Sequence, residues 1–318
     1  MTAKTCFFCP SSAVYYDRRA GQGYCANHLT QLLEKKVRQE LRRQGVNERE
    51  RILIAVSGGK DSLVMMDLLW RVERRFKEVK LMAVTVDEGI NGGAYRGARV
   101  SLTKAMAKER GIQYELISFG QVFGFTLDEA LRSLGKSEEP CTVCGVLRRR
   151  ILNDYAMRVG ATKIAVAHNL DDEAGTFLMN VLRGDVRRGP APLEDGLALG
   201  SFVPRIKPVR SLTERETAFY ANMLGIPMEE QECPYYRSSF RDEIMPYLEE
   251  LESQHPGTMN AVVSAGEQLR ADSPKSKPAG RCSICGYPTA RGRDVCRVCE
   301  LRTRVLSGLE LNERSAHF

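Results

Sequence analysis

Residues 51–62 of this chain of 318 residues read Arg-Ile-Leu-Ile-Ala-Val-Ser-Gly-Gly-Lys-Asp-Ser. The apolar run 51–56 predicts a buried strand, and the helical spacing of the apolar residues that follow predicts a helix over 61–76. Between them, paired glycines let the backbone approach a phosphate closely, and the start of the helix presents oriented N–H groups. An ordinary Gly-Gly turn is the alternative. The stretch predicts a nucleotide-phosphate site made by Ser57, Gly58, Gly59, Lys60, Asp61 and Ser62.

The same alternation of strand and helix patterns continues along the chain. Predicted strands lie at 79–86, 113–118, 163–167 and within 203–209, and predicted helices at 31–50, 99–110, 127–134, 146–159, 170–182 and 213–224. This alternation is typical of an α/β fold whose parallel sheet is covered on both faces. Ligands of such sheets bind at the carboxyl ends of the strands. The loop 57–62, Asp87 and the segment 167–173 all follow predicted strands.

The ten cysteines form three groups. Close Cys-x-x-Cys pairs without an export signal indicate metal or redox sites rather than disulfides. Four ligands in two close pairs are typical of a structural zinc site. The chain has two such sets, which are Cys6, Cys9, Cys25 and His28, and Cys282, Cys285, Cys296 and Cys299.

Cys141, Cys144 and Cys233 remain, one ligand short of a closed metal site. Three thiolates suit an iron–sulfur cluster with one free iron, or a sulfur relay. An unligated pair and one buried cysteine are the alternative. Gly145 and Pro234 flank these cysteines as expected turn residues.

Lys and Arg outnumber Asp and Glu by 47 to 40, which gives a net charge of +7. The run of Arg148, Arg149 and Arg150 is one of several basic clusters that favour a polyanion such as RNA, although solvated helix faces have the same composition. Aromatic and basic neighbours of the two zinc sets would suit RNA contact; they are Tyr24, Tyr287, Arg291 and Arg293. No window approaches the ~20 apolar residues of a membrane span, and no apolar signal region opens the chain. We therefore expect a cytoplasmic protein that does not bind or span a membrane.

Two further motifs carry charge near the expected site. Residues 167–173 read Ala-His-Asn-Leu-Asp-Asp-Glu, and Asp171 and Asp172 would suit a magnesium ligand or a proton acceptor. The alternative is a structural role, because acidic side chains in the first turn of a helix interact favourably with the helix dipole. Arg148 lies one helical turn after Cys144 and can face the same cleft. A solvent-facing arginine is the alternative. Because arginine does not readily release a proton, we expect charge stabilisation from Arg148.

The loop 57–62 resembles the PP-loop of the ATP pyrophosphatases, and the segment 167–173 resembles the His-Asn-x-Asp-Asp segment of PP-loop tRNA thiolation enzymes. Together with the order of the cysteine motifs, nearly the full chain resembles the tRNA 2-thiouridine synthetase family. The resemblance implies a PP-loop fold with a parallel sheet of five strands and zinc-finger modules at both ends. We therefore expect an N-terminal zinc knuckle at 1–30, a catalytic domain with the Fe–S site at 31–270, and a linker with a C-terminal zinc knuckle at 271–318. Residues 271–280, rich in Ser, Pro and Lys, predict a flexible linker.

The resemblance also implies an activity. ATP would be cleaved to AMP and pyrophosphate while the O2 of a tRNA uridine is adenylated, and sulfur would then replace that oxygen to give 2-thiouridine. A [4Fe–4S] cluster held by Cys141, Cys144 and Cys233 would bind sulfide at its free iron. Mg²⁺ and two Zn²⁺ complete the expected cofactors. Two alternatives remain: a cluster-free persulfide relay through the same cysteines, and a zinc-knuckle RNA-binding adaptor without catalysis.

The family's site residues transfer to positions of this sequence. Asp172 and Lys60 are expected catalytic residues, and so is Arg148, although related enzymes can carry Lys at its position. The adenine is expected near the strand ends at Ala55 and Ala167, with Asp87 close to the nucleotide. The implied partners are tRNA, a second copy of the chain in a homodimer, and a sulfur donor. That donor is either free sulfide or a thiocarboxylated ubiquitin-like carrier protein, and the target is either uridine 34 or uridine 54.

Overall fold

The computed structural model describes residues 5–74, 78–185, 202–227, 232–236, 240–271, 280–289 and 292–315. The central residues of the expected linker, 272–279, lie outside these ranges. The described strands are β1 (Tyr15–Asp17), β2 (Gln22–Tyr24), β3 (Arg51–Ala55), β4 (Lys80–Asp87), β5 (Gln113–Ser118), β6 (Lys163–Ala165), β7 (Arg205–Ile206), β8 (Gly280–Arg281) and β9 (Pro288–Thr289). The described helices are α1 (Ala26–Arg43), α2 (Lys60–Glu73), α3 (Ala94–Glu109), α4 (Phe119–Phe123), α5 (Leu127–Leu134), α6 (Pro140–Arg158), α7 (Leu170–Leu182), α8 (Glu214–Met223), α9 (Phe240–Gln254), α10 (Thr258–Ala271) and α11 (Arg297–Ser315).

Five strands form one parallel sheet in the order β5-β4-β3-β6-β7. Its central strand β3 is apolar throughout its middle, and Ile52, Leu53 and Ile54 are all buried, because helices cover both faces of the sheet. One face packs with α1, α2 and α8, and the other with α5, α6 and α11. The predicted α/β fold with a five-stranded parallel sheet is confirmed, and the loop 57–62 follows its central strand.

Helix α6 begins at Pro140, six residues before the start that the sequence pattern predicts. Proline is favourable in the first turn of a helix because its missing N–H has no partner there. Cys141 and Cys144 therefore lie inside the first turns of α6, and the expectation that Gly145 is a turn residue is wrong. A Cβ at Gly145 would lie 3.4 Å from the Arg149 guanidinium, so glycine leaves room for that side chain.

The two ends of the chain pack against the central domain. Helix α1 begins at Ala26, so it contains His28 and crosses the expected boundary at residue 30. At the other end, Leu301 and Val305 of α11 are fully buried in the core that contains α5 and α6. The Ser133 hydroxyl donates a 3.0 Å hydrogen bond to the carbonyl of Val305. The C-terminal module is thus held against the sheet domain. No helix among the described residues is long and apolar enough to cross a membrane.

A fully buried carboxylate joins three helices on one face of the sheet. Asp67 of α2 accepts hydrogen bonds from Arg71 at 2.7 Å, from Arg110, just after α3, at 2.8 Å, and from the Tyr220 hydroxyl of α8 at 2.7 Å. Asp67 has no exposed surface. Removing one member of such a group leaves the other charges buried without compensation.

We expect Asp67→Ala to lower the free energy of unfolding by about 3–5 kcal/mol, because Arg110 then lacks its buried counter-ion. Urea denaturation followed by circular dichroism measures this change. Arg49→Ala is the control, since Arg49 and its partner Glu78 are both exposed, and such pairs contribute about 1 kcal/mol or less. Equal effects of the two substitutions would show that Asp67 is not a structural anchor.

Candidate functional site

The loop 57–62 has the backbone geometry that a phosphate site needs. Gly58 has φ of +81°, a left-handed conformation, and a Cβ at this position would lie 2.5 Å from the Cβ of Arg99. Gly59 caps the N-terminus of α2 in an extended conformation. The Ser62 hydroxyl donates to the carbonyl of Gly59 at 2.8 Å, which fixes the turn. The first N–H groups of α2 therefore face outward at the carboxyl end of β3.

Lys60 is buried at the start of α2 and is paired with acids. Its ammonium lies 3.0 Å from Asp61 and also contacts Glu214 of α8. Burial by itself lowers the pKa of Lys60, but the carboxylates of Glu214 and Asp61 outweigh burial and raise it above the ordinary value. Lys60 is therefore a fixed positive charge beside the loop. Its pairing with Glu214, 154 residues away, was not predicted from the sequence.

The three unassigned cysteines lie in a cavity of about 440 Å³ that the loop 57–62 also lines. Cys144 is buried, Cys233 is half-buried and Cys141 is exposed. Within the part of the chain that the structure describes, only the two expected zinc sets bring their ligand atoms within 4.8 Å of one another. The three cysteines are thus spaced too widely to surround one ion, whereas a cluster of four irons is a larger body. A set of three thiols in one cavity fits such a cluster.

A buried carboxylate that the sequence analysis missed connects the loop to these cysteines. Glu88, with no exposed surface, accepts hydrogen bonds from Nε and Nη2 of Arg96 at 2.9 and 2.8 Å. Arg96 donates in turn to the carbonyl of Ser57 at 2.6 Å. Arg148 lies 2.9 Å from Glu88 and donates to the sulfur of Cys144 at 2.9 Å. Burial alone would raise the pKa of Glu88, but the two arginines hold it below its ordinary value.

A larger cavity of about 920 Å³ adjoins the cysteine cavity. The residues that line both cavities are Ser57, Ser62, Arg96, Gly145, Arg148 and Ala167. The larger one extends past Ala55 to the C-terminal knuckle, where Tyr287 lines it. The strand-end positions expected to contact adenine thus lie beside the loop. Asp87 is not among the described lining residues, and its carboxylate instead accepts from the N–H of Gly89 at 2.9 Å.

The predicted acidic segment starts helix α7. Asn169 caps the helix and exchanges hydrogen bonds with Asp172, whose other oxygen pairs with Arg241 of α9. Asp171 accepts from the backbone N–H of Glu214 at 2.8 Å. Burial, and then the nearby charge of Glu214, raise the pKa of Asp171 to about 6. Neither carboxylate is among the described lining residues of the two cavities beside the loop.

Both expected zinc sets assemble in the structure. Cys9 and Cys25 have sulfur atoms 3.8 Å apart, and those of Cys285 and Cys296 are 3.7 Å apart. A tetrahedral zinc with Zn–S bonds of about 2.3 Å places its sulfur ligands about 3.8 Å apart. The donor sets therefore fit zinc. The predicted RNA contact at Tyr24 is wrong, because Tyr24 is buried, and Arg291 lies outside the described residues.

Comparison with known proteins agrees with this geometry. A PP-loop domain model matches residues 28–248. The tRNA 2-thiolation protein NcsA of Haloferax volcanii is 33% identical over 316 residues, covering 93% of this chain and 97% of that protein. This chain belongs to the tRNA 2-thiolation family of PP-loop proteins. The cytoplasmic tRNA 2-thiolation protein 1 of Mus musculus is 34% identical and covers 97% of this chain and 74% of its own length.

A solved structure of the same family is similar over the whole fold. The U34-tRNA thiolase NcsA from Methanococcus maripaludis, solved with its [4Fe–4S] cluster, has a TM-score of 0.81 and 33% identity, covering 95% of this chain and 97% of that chain. The predicted membership of the tRNA thiolation family is thus confirmed. As a tRNA 2-thiolation family member, this chain is a sulfurtransferase-type protein with a PP-loop domain that uses ATP. The roles of its individual site residues stay predictions.

We expect Gly58→Ala to abolish measurable ATP binding in this 2-thiolation protein. The substitution forces an alanine into a left-handed conformation and places its Cβ against Arg99, so the loop must change shape. Isothermal titration calorimetry with ATP measures the affinity. Gly45→Ala is the matched control, because Gly45 has φ of +67° with no atom within 4 Å of the added Cβ. It should cost about 1 kcal/mol of stability and leave ATP affinity unchanged. Normal ATP binding by Gly58→Ala would contradict the assignment of this loop.

Proposed function

We propose that this protein is an ATP-dependent tRNA uridine 2-sulfurtransferase that produces 2-thiouridine, AMP and pyrophosphate. The observation that carries the proposal is that the loop 57–62 and Cys141, Cys144 and Cys233 line one cavity. A nucleotide-phosphate loop and three thiols at one opening are the two components that activation and sulfur insertion require. Membership of the tRNA 2-thiolation family supports tRNA as the substrate.

In the proposed reaction, the uridine O2 attacks the α-phosphate of ATP, and pyrophosphate leaves. Hydrosulfide then adds to C2, and AMP leaves with the former O2. The outward N–H groups at the start of α2 and the fixed charge of Lys60 hold the phosphates and stabilise the departing pyrophosphate. Arg148, held by Glu88 at the edge of both cavities, stabilises negative charge on the leaving AMP.

Three kinds of bound inorganic group would complete the site. Cys141, Cys144 and Cys233 would hold the [4Fe–4S] cluster, which when bound would supply sulfur as hydrosulfide at the iron without a cysteine ligand. Magnesium takes oxygen ligands, and Asp61 and Glu214 are the carboxylates that contact Lys60 beside the loop. Zinc in the two knuckles would stabilise the modules at 1–30 and 271–318, on either side of the catalytic domain at 31–270.

The family relatives supply two further parts of the proposal. The Methanococcus maripaludis relative is named a U34-tRNA thiolase, and we propose uridine 34 as the target here. The mouse relative is named cytoplasmic, which supports a cytoplasmic location. We propose a homodimer, with free sulfide or a thiocarboxylated ubiquitin-like carrier protein as sulfur donor. Nucleoside mass spectrometry of tRNA from a deletion strain, with the modified position mapped, tests the product and the target together. Unchanged 2-thiouridine at position 34 would exclude that target.

We expect anaerobically purified protein to be brown and to contain about four irons per chain. Single replacement of Cys141, Cys144 or Cys233 by Ala should remove the iron and abolish thiolation, because a three-ligand site has no spare thiolate. Iron assay, absorption near 400 nm and 2-thiouridine formation measure the effect.

Cys6→Ala and Cys282→Ala are matched controls for the cysteine replacements. They should lower stability and tRNA affinity while the colour persists, because zinc binding contributes on the order of 10 kcal/mol to the folding of small zinc modules. Full thiolation by iron-free, zinc-replete protein would instead support the persulfide relay. Absence of AMP release with tRNA and ATP would support the RNA-binding adaptor.

We propose that the carboxylate of Asp172 is needed for turnover. To act there, it must release Arg241 or Asn169 and contact the substrate or magnesium instead. Asp172→Asn keeps the side chain's size and its ability to accept from Asn169. We expect it to lower thiolation by about 10²-fold, the scale of one lost acid–base group, while tRNA affinity stays near normal. AMP and 2-thiouridine are measured with matched tRNA, ATP and sulfide.

Two variants separate this role from helix capping. Arg241→Gln removes the ion pair but leaves the carboxylate, so its turnover should stay near that of the wild type. Asp171→Asn tests the neighbouring carboxylate. If Asp172→Asn forms both products at the wild-type rate, Asp172 only caps α7, and Asp171 becomes the candidate.

A further inference from the structure

The cavity of about 920 Å³ has a strong excess of positive charge. Eight Lys or Arg residues line it, and Glu88 is the one carboxylate among the described lining residues. Most of these cations already have acidic partners. Lys207 pairs with Glu173, and Arg297 pairs with Glu138. A cavity with so few acids concentrates an anionic ligand by its field alone.

Two of these arginines are different. The side chains of Arg149 of α6 and Arg205 of β7 make no hydrogen bond or ion pair with any residue that the structure describes, and both line this cavity. Burial and then the charge of Arg148 lower the pKa of Arg149, and burial and then the charge of Arg149 lower that of Arg205. Arg149 is exposed and Arg205 is half-buried, so solvent screens part of this repulsion. Two like charges that line one concave site without a counter-ion still favour the binding of an anion there.

Local structure maintains this arrangement. The Arg149 guanidinium lies over Gly145, where any Cβ would approach it to 3.4 Å. Arg205 is fixed by the pairing of β7 with β6. On the same side of the cavity, the Arg150 guanidinium stacks over the Tyr287 ring at 4.0 Å from its centroid. Arginine forks bind phosphate oxygens in two parallel hydrogen bonds, and stacked arginine and tyrosine surfaces accept unpaired RNA bases.

We propose that Arg149 and Arg205 together bind one backbone phosphate of the RNA substrate beside the target nucleotide. A phosphate of ATP has the same chemistry, but the N–H groups of the loop 57–62 already provide for it at the carboxyl end of β3. Arg149 and Arg205 lie instead on α6 and β7, on the side that the C-terminal knuckle covers. The inference rests on the proposed function, because it takes tRNA as the substrate.

The test compares two double variants in the full, cluster-loaded protein. Arg149→Gln with Arg205→Gln removes the phosphate site. Arg42→Gln with Arg158→Gln removes the same charge from exposed positions outside the described cavities. Fluorescence anisotropy with tRNA between 50 and 200 mM salt, and calorimetry with ATP, measure the two affinities. Thermal unfolding shows that each variant folds. The Arg149/Arg205 variant should unfold at no lower temperature than wild type, because a repulsive pair is removed.

We expect the Arg149/Arg205 variant to bind tRNA about tenfold or more weakly, as the loss of charge-assisted hydrogen bonds to one phosphate predicts. The slope of log affinity against log salt should decrease by about 1, the value for one phosphate contact. ATP affinity should stay within about twofold of wild type. Arg149→Lys with Arg205→Lys should keep the salt slope, because it keeps the charge.

Three results would overturn the inference. The first is unchanged tRNA affinity of the Arg149/Arg205 variant. The second is an equal loss of tRNA affinity in the Arg42/Arg158 control. The third is a loss of ATP affinity with unchanged tRNA affinity, which would assign the two arginines to the nucleotide. Failure of the proposed function is distinguishable, because in that case the wild-type protein itself would not thiolate tRNA.

Discussion

The carboxylate of Glu88 lies between two guanidinium groups that belong to different parts of the chain, and the geometry of the candidate site depends on it. Through Arg96 it fixes the carbonyl of Ser57 at the start of the nucleotide loop, and through Arg148 it reaches the sulfur of Cys144. A buried charge is costly unless it is paired and fully hydrogen-bonded. If either arginine moved away, Glu88 and the remaining arginine would lose part of the pairing that offsets the cost of their burial. The loop 57–62 and Cys144 are therefore held in a fixed relation.

The parallel sheet explains why these groups can meet. The carboxyl ends of β3, β4 and β6 lie at one edge, which brings together the loop 57–62, Glu88 and Ala167 from distant parts of the sequence. Helix α6 then presents Cys144, Arg148 and Arg149 toward the same edge. In the proposed reaction, nucleotide binding and sulfur insertion would use adjoining cavities, and an activated uridine would need to move little between them.

The C-terminal module contributes to this edge because it is docked on the sheet domain. Helix α11 buries Leu301 and Val305 in the sheet domain, and the C-terminal knuckle supplies Tyr287 to the larger cavity. From the sequence, the linker indicates only that the C-terminal knuckle is connected to the catalytic domain. The packing of α11 determines where the knuckle lies. Under the proposed function, a knuckle fixed beside a basic cavity would guide an RNA strand toward the loop 57–62.

The sequence by itself determined the features that depend on neighbours along the chain. The phosphate loop, the two metal-ligand sets and the extents of β5, α5 and α7 follow from local spacing and capping signals, and the structure has them where predicted. Helices α4, α9, α10 and α11 were not predicted; α4 has only five residues, and α9 contains Pro246, which obscures its pattern. Only the tertiary structure decided the partners of buried charges. Glu88 pairs with Arg148 across 60 residues and Lys60 with Glu214 across 154, and Arg149 and Arg205 line one cavity. How the helices dock on the sheet decides these arrangements, which leave no local pattern in the sequence.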